Sequence, residues 1–131
     1  MTRHAITYLG ALLAVGVLDF LWLGVIAKSW YQGGMGHLMA AKPNLWAAAA
    51  FYLLYPVGLV IFAAAPAQGD VMRALLMGAL FGFFAYATYD LTALAVLRDF
   101  PARLAFLDIA WGAFVSACGA AAGAWAARQF T

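Results

Sequence analysis

The chain has 131 residues, of which 68% are hydrophobic and only 9% are charged, and its mean hydropathy is +0.93. A soluble domain of this size has too little interior to bury so much apolar surface, so the composition excludes an ordinary soluble protein and indicates an integral membrane protein. The net charge is +2 and the seven Lys and Arg residues are scattered singly, which argues against nucleic-acid binding.

Four apolar segments are long enough to cross a bilayer, which needs roughly 20 helical residues. They cover residues 5–27, 45–65, 72–97 and 103–127. Short connections at 66–70 and 98–103 favour antiparallel neighbours. The sequence therefore predicts an all-α integral membrane protein with one domain over residues 1–131. Its architecture is predicted to be a four-helix antiparallel bundle with a long loop between the first two helices.

That long loop, residues 28–44, contains Trp30, Tyr31, three glycines and His37. Aromatic residues are common where a protein crosses the membrane interface. The length of the segment also allows a lid over one end of the bundle, in which His37 would take part. The lid and an interfacial segment without a catalytic role are interpretations of equal weight.

Small residues predict close helix packing on the third and fourth spans. Gly78 and Gly82 form one G-x-x-x-G pattern, and Gly119 and Gly123 form another. This spacing lets helix backbones approach closely where lipid supplies no hydrophobic driving force between helices. Packing inside one chain is favoured, and a homodimer through the same faces is the alternative.

Three of the five acidic residues lie inside the predicted spans, where an ionised carboxylate is costly. Counted from the nearest basic residue at one membrane boundary, Asp19, Asp90 and Asp108 lie nine, eight and five residues inside. At about 1.5 Å per residue these counts correspond to depths of roughly 13, 12 and 8 Å. We therefore expect the three acids to meet in one half of the bundle, with at least one of them protonated near neutral pH.

Aromatic and hydroxyl side chains accompany the acids. Trp22 follows Asp19 by three residues and Trp111 follows Asp108 by three, so we expect an indole N–H beside the acid of the same helix. Tyr86 precedes Asp90 by one helical turn, on the face that carries Gly78 and Gly82. The remaining residues of the predicted ligand-binding or proton-binding site are Tyr52, Tyr55, Tyr89, Thr92 and His37.

Four strings along the chain form a pattern: L-D-x-x-W-L-G at 18–24, F-Y-L-L-Y at 51–55, Y-A-T-Y-D-L-T at 86–92 and D-x-x-W-G at 108–112. The pattern resembles the domain of unknown function 2177, a family of small bacterial four-helix membrane proteins, over nearly the whole chain. The resemblance implies a four-helix fold and a multi-pass location in the bacterial inner membrane, and no agreed activity. The family pattern has Asn after Thr92 and Trp before the later proline, where this chain has Ala93 and Phe100.

Three functions fit the predicted site. Binding or translocation of a small molecule or of protons is favoured, because proton-coupled carriers use protonatable carboxylates at membrane depth. One alternative is a membrane-embedded enzyme acting on a lipid-like substrate, with the acids as general acid and base. The other is a structural or accessory subunit of a membrane complex, in which the acids hold helices in register. The sequence does not decide whether the protein is an enzyme; we expect no cofactor and no metal site, and the lipid bilayer as its main partner.

Overall fold

The computed structural model describes residues 2–40, 42 and 44–131, and every regular element in these residues is a helix. The helices are α1 (Thr2–Leu21), α2 (Lys28–Met35), α3 (Leu45–Leu59), α4 (Val71–Val96) and α5 (Ala102–Phe130). A π-helical turn extends α1 over Trp22–Ile26, and another extends α3 over Val60–Ala64. The all-helical prediction is confirmed.

Four helical stretches are long and apolar enough to cross a membrane: Thr2–Ile26, Leu45–Ala64, Val71–Val96 and Ala102–Phe130. They confirm the four predicted spans, with ends that differ by up to three residues. Large apolar side chains such as Leu13, Phe20 and Leu80 are at least 60% exposed. Outward apolar faces of this kind suit lipid rather than water.

The central helix of the bundle is α5, which packs against both α4 and α1. Half of its most apolar stretch is buried, compared with 17%, 28% and 22% for the other three spans in chain order. The core beside it contains the fully buried side chains of Val15, Leu59 and Val115, from α1, α3 and α5. α5 therefore provides the surface against which the other helices are positioned.

The G-x-x-x-G faces lie where helices approach one another most closely inside the chain. A Cβ atom added at Gly78 of α4 would lie 2.6 Å from the Ser116 carbonyl oxygen of α5. One added at Gly123 of α5 would lie 2.6 Å from the Thr7 carbonyl oxygen of α1. The alternative prediction of a homodimer through these faces therefore has no support, because the surface it requires is covered by the chain's own helices.

The connection between the first two spans is largely helical, whereas the sequence analysis predicts a long loop there. Helix α2 is followed by a 3-10 turn over Gly36–Leu38, and Ala41 and Pro43 lie outside the described residues. Glycine inside a helix costs about 1 kcal/mol relative to alanine, so the glycines of α2 disfavour it. Burial of Tyr31 against Ala27 and Leu104 anchors α2 to the bundle and offsets this cost.

Candidate carboxylate and tyrosine site

The three intramembrane acids come from α1, α4 and α5 and lie in one region of the bundle. Asp19 and Asp90 are buried, with 4% and 1% of their surface exposed, and Asp108 is half-buried. Asp108 is the charged neighbour of both other acids. The structure therefore brings together the three side chains that the sequence places at similar depth.

Asp19 has a donor from another helix on each of its carboxyl oxygens. The Trp111 indole N–H of α5 donates to Oδ1 at 2.7 Å, and the Tyr52 hydroxyl of α3 donates to Oδ2 at 2.9 Å. Both oxygens of this buried carboxyl group are therefore satisfied by hydrogen bonds. Asp19 thus joins three helices at one point.

Asp108 is reached from α2 through Tyr31. The Tyr31 hydroxyl donates to Asp108 Oδ1 at 2.8 Å and accepts from the Trp22 indole N–H at 3.1 Å. Burial raises the pKa of the Tyr31 hydroxyl, so it stays protonated and able to donate at physiological pH. Sequence reasoning treats Tyr31 only as an interfacial aromatic, because nothing in the sequence relates it to an acid 77 residues away.

The indoles of Trp22 and Trp111 stack on one another, with ring centroids 4.4 Å apart and planes inclined by 5°. The prediction that each indole lies beside the acid of its own helix is wrong. Trp111 donates to Asp19 of the other helix, and Trp22 reaches Asp108 only through Tyr31. Residues three apart on a helix project toward the same neighbour, so a long indole extends across the interface instead of back along its own helix.

Asp90 differs from the other two acids in its hydrogen bonding. Its Oδ2 atom is buried and accepts no N–H or O–H from the other described residues. The group within hydrogen-bonding reach is the Asp108 carboxyl, so a bond between the two acids requires a proton on one of them. A buried polar atom left without a donor costs about 1–3 kcal/mol, so two adjacent buried carboxyl groups are stabilised by sharing a proton. The basic residues of α4 and α5 are Arg73, Arg103 and Arg128, all near the helix ends, so neither helix supplies a counter-charge over residues 74–96 or 104–127.

A cavity of about 390 Å³ opens beside Asp108, between α3, α4 and α5. Besides Asp108, its walls are formed by Phe51, Tyr55, Ala85, Tyr86 and Tyr89. The Tyr86 ring packs directly on Gly112, where any Cβ atom would collide with the ring. Glycine at 112 therefore makes the room that lets an aromatic ring form this wall.

Ser116 is a buried polar residue at the base of this region that the sequence analysis does not identify. Its hydroxyl and that of Tyr55 are hydrogen-bonded at 2.5 Å. The available signal is the spacing of Asp108, Gly112 and Ser116, which recur every four residues on α5 and therefore share one face. This bond fixes the position of the Tyr55 ring in the cavity wall.

Two of the predicted site residues lie apart from the acids. The Thr92 hydroxyl donates to backbone carbonyl oxygens of its own helix, those of Thr88 and, at 3.0 Å, Tyr89. The His37 ring nitrogen Nε2 lies 3.2 Å from the Asp99 carbonyl oxygen, on the exposed surface. Among the described residues, no three His, Cys, Asp or Glu side chains are grouped closely enough to hold a metal ion.

The model of one protein family, described as Predicted membrane protein (DUF2177), matches residues 4–125. The chain belongs to this family. The family prediction made from the sequence is thereby confirmed, and the matched range contains every residue of the candidate site. No curated protein and no solved structure matches the chain. Membership of DUF2177 establishes a membrane protein without an assigned activity.

Replacing Tyr31 by phenylalanine is expected to loosen α2 without unfolding the bundle. The substitution removes the hydroxyl that links Trp22 to Asp108, and loss of such a link costs about 1–2 kcal/mol, or roughly a 5- to 30-fold change in local opening. Hydrogen exchange of the α2 amides should accelerate by that factor. The control is Gln32→Ala, since the Gln32 side chain is exposed on the same helix. Equal exchange in Tyr31→Phe and the wild type would contradict the prediction.

Proposed function

We propose that this chain is a multi-pass protein of the bacterial inner membrane that binds a small molecule or protons at its carboxylate and tyrosine site and transports it. The observation that carries the proposal is the buried Oδ2 atom of Asp90, which lies beside the Asp108 carboxyl and accepts no hydrogen bond from any other described residue. A carboxyl group in such a place is stabilised when it takes up a proton or another cation, because the bare charge is poorly solvated there.

The proposed arrangement is an antiparallel four-helix bundle, in which the acids collect at one end of the spans. The contacts between α4 and α5 support it, because residues later in α4 contact residues earlier in α5. Gly78 lies against Ser116 and Ala120, whereas Asp90 lies next to Asp108. The short connection between the two helices, residues 97–101, agrees with this direction.

The alternative structural role is favoured for Asp19 alone. Both of its oxygens accept hydrogen bonds that hold α1, α3 and α5 in register. We therefore propose a division between the acids, in which Asp19 stabilises the bundle and Asp90 with Asp108 exchanges protons or ligand.

Infrared titration of the full chain in lipid tests the proton-binding part of this proposal. We expect the carbonyl stretching band of a protonated carboxyl group, which disappears as the pH is raised through the neutral range. The band should be lost in Asp90→Asn, because this variant removes one member of the carboxyl pair and the repulsion that favours a shared proton.

The matched control is Asp70→Asn, an identical chemical change at an acid whose side chain caps the first turn of α4. This variant should retain the band, since asparagine also caps helices well. A band that persists in both Asp90→Asn and Asp108→Asn would contradict the proposal, as would a wild-type spectrum with no such band at any pH in the range.

A further inference from the structure

We infer that the small molecule bound by this site is a lipophilic organic cation, held in the aromatic cavity with Asp108 as its counter-ion. The inference rests on the proposed function and names its substrate class. It follows from three properties of the cavity: its walls, its charge and its opening.

The walls of the cavity are aromatic rings in different orientations. Phe51 and Tyr55 are stacked with centroids 5.2 Å apart, and Tyr86 meets Tyr55 edge-on at 6.0 Å with an interplanar angle of 81°. A cation placed within about 6 Å of a ring face is attracted by the ring's quadrupole. Rings at steep angles to one another form a corner that offers faces on more than one side of a bound group.

The end of the cavity is acidic, and α4 and α5 carry no Lys or Arg over residues 74–96 and 104–127. Asp108 forms part of the wall, and Asp90, with 1% exposure and an unpaired oxygen, lies directly behind it. Hard metal ions prefer a shell of six or more oxygen ligands, whereas this cavity offers carboxyl groups on one side and aromatic carbon on the others. A cation that carries its own apolar groups can place its charge against the carboxyl groups and its apolar groups against the aromatic rings.

The opening of the cavity lies on the outer surface of the helices. Tyr89 is 56% exposed and Phe51 is 38% exposed, and both form the rim. The neighbouring outward side chains are apolar and suit lipid, including Leu54 and Phe84. A lipophilic cation that partitions into the bilayer would therefore enter from the lipid, without crossing the core of the bundle.

Binding of tetraphenylphosphonium to the full chain in lipid nanodiscs, measured by equilibrium dialysis, tests this inference. Tetraphenylborate is the matched control ligand, since it has nearly the same size and shape and the opposite charge. We expect saturable binding of the phosphonium that Asp108→Asn weakens by at least about tenfold, because the counter-ion is lost from a poorly solvated site. Tetraphenylborate should bind no more than to empty nanodiscs.

Two further variants separate the ligand site from the fold. Tyr89→Leu should weaken phosphonium binding by about 2- to 5-fold, because it removes one ring face at a rim position that is 56% exposed. Asp70→Asn, far along the chain in the turn before α4, should leave binding unchanged. Acidification should weaken binding in the wild type, since protons compete for the same acid pair.

The inference is overturned if the wild type and Asp108→Asn bind tetraphenylphosphonium equally, or if tetraphenylborate, assayed alone, binds saturably at the same site. The infrared titration distinguishes this failure from failure of the proposed function. A protonated carboxyl band without phosphonium binding would support the proton site and contradict the organic-cation site. The opposite result is phosphonium binding that depends on Asp108 with no carboxyl band in the wild type. It would support the cation site and contradict proton binding.

Discussion

Replacing Gly82 by alanine is expected to lower the free energy of unfolding by about 3 kcal/mol, the upper part of the usual range for overpacking a core. A Cβ atom at Gly82 would overlap the Gly112 carbonyl oxygen and the Ser116 hydroxyl. The first of these is backbone of the central helix and cannot move aside as the end of a flexible side chain can. α4 would have to shift away from α5, and Tyr86 and Asp90 would move with it.

Unfolding in mixed micelles, followed by circular dichroism during titration with a denaturing detergent, measures this effect. Gly16→Ala is the matched control, because a Cβ atom there would meet nothing within 4 Å. We expect it to raise the free energy of unfolding by up to about 1 kcal/mol, because alanine is the better helix former and meets no clash. Equal stability of Gly82→Ala and Gly16→Ala would show that the two helices are not held together by close backbone contact.

Truncating Asp19 to alanine is expected to cost about 2–5 kcal/mol, because the Trp111 N–H and the Tyr52 O–H would both lose their acceptor in a buried place. The same truncation at Asp90 is expected to cost less, about 1–2 kcal/mol, since no N–H or O–H of another helix loses its acceptor there. The same detergent titration compares the two variants directly. Similar losses at both positions would contradict the proposed division between the acids.

The variant Asp19→Asn separates hydrogen bonding from charge at this position. Its amide oxygen can accept from Trp111, and its amide N–H can donate to Tyr52, whose hydroxyl also accepts. We therefore expect Asp19→Asn to remain within about 1 kcal/mol of the wild type. A loss as large as that of Asp19→Ala would indicate that the carboxylate charge itself stabilises the bundle.

Much of the fold follows from the sequence because lipid imposes simple requirements on a chain. A membrane span needs roughly 20 apolar residues. The four predicted segments agree with the observed helical spans to within three residues at each end. The depth of each acid follows from its distance along a helix of fixed rise. For these reasons the meeting of Asp19, Asp90 and Asp108 could be predicted.

The partners of those acids could not be predicted, because they depend on how helices are rotated and which elements lie between spans. Trp22 and Trp111 each have an acid three residues away, yet the contacts cross between helices. The contact of Tyr31 with Asp108 depends on α2 being helical, and the glycines of that segment disfavour a helix. Packing of Tyr31 against Leu104 outweighs the low helix propensity of the glycines in this segment.

The stacked indoles have a consequence for spectroscopy. Two tryptophan chromophores 4.4 Å apart and nearly parallel are close enough for their electronic transitions to couple, so the pair should give a near-ultraviolet dichroism signal that separated indoles lack. One member of the pair donates to Tyr31 and the other to Asp19. Any movement that separates α1 from α5 would remove the signal, which gives the protein an intrinsic optical reporter of the site without a label.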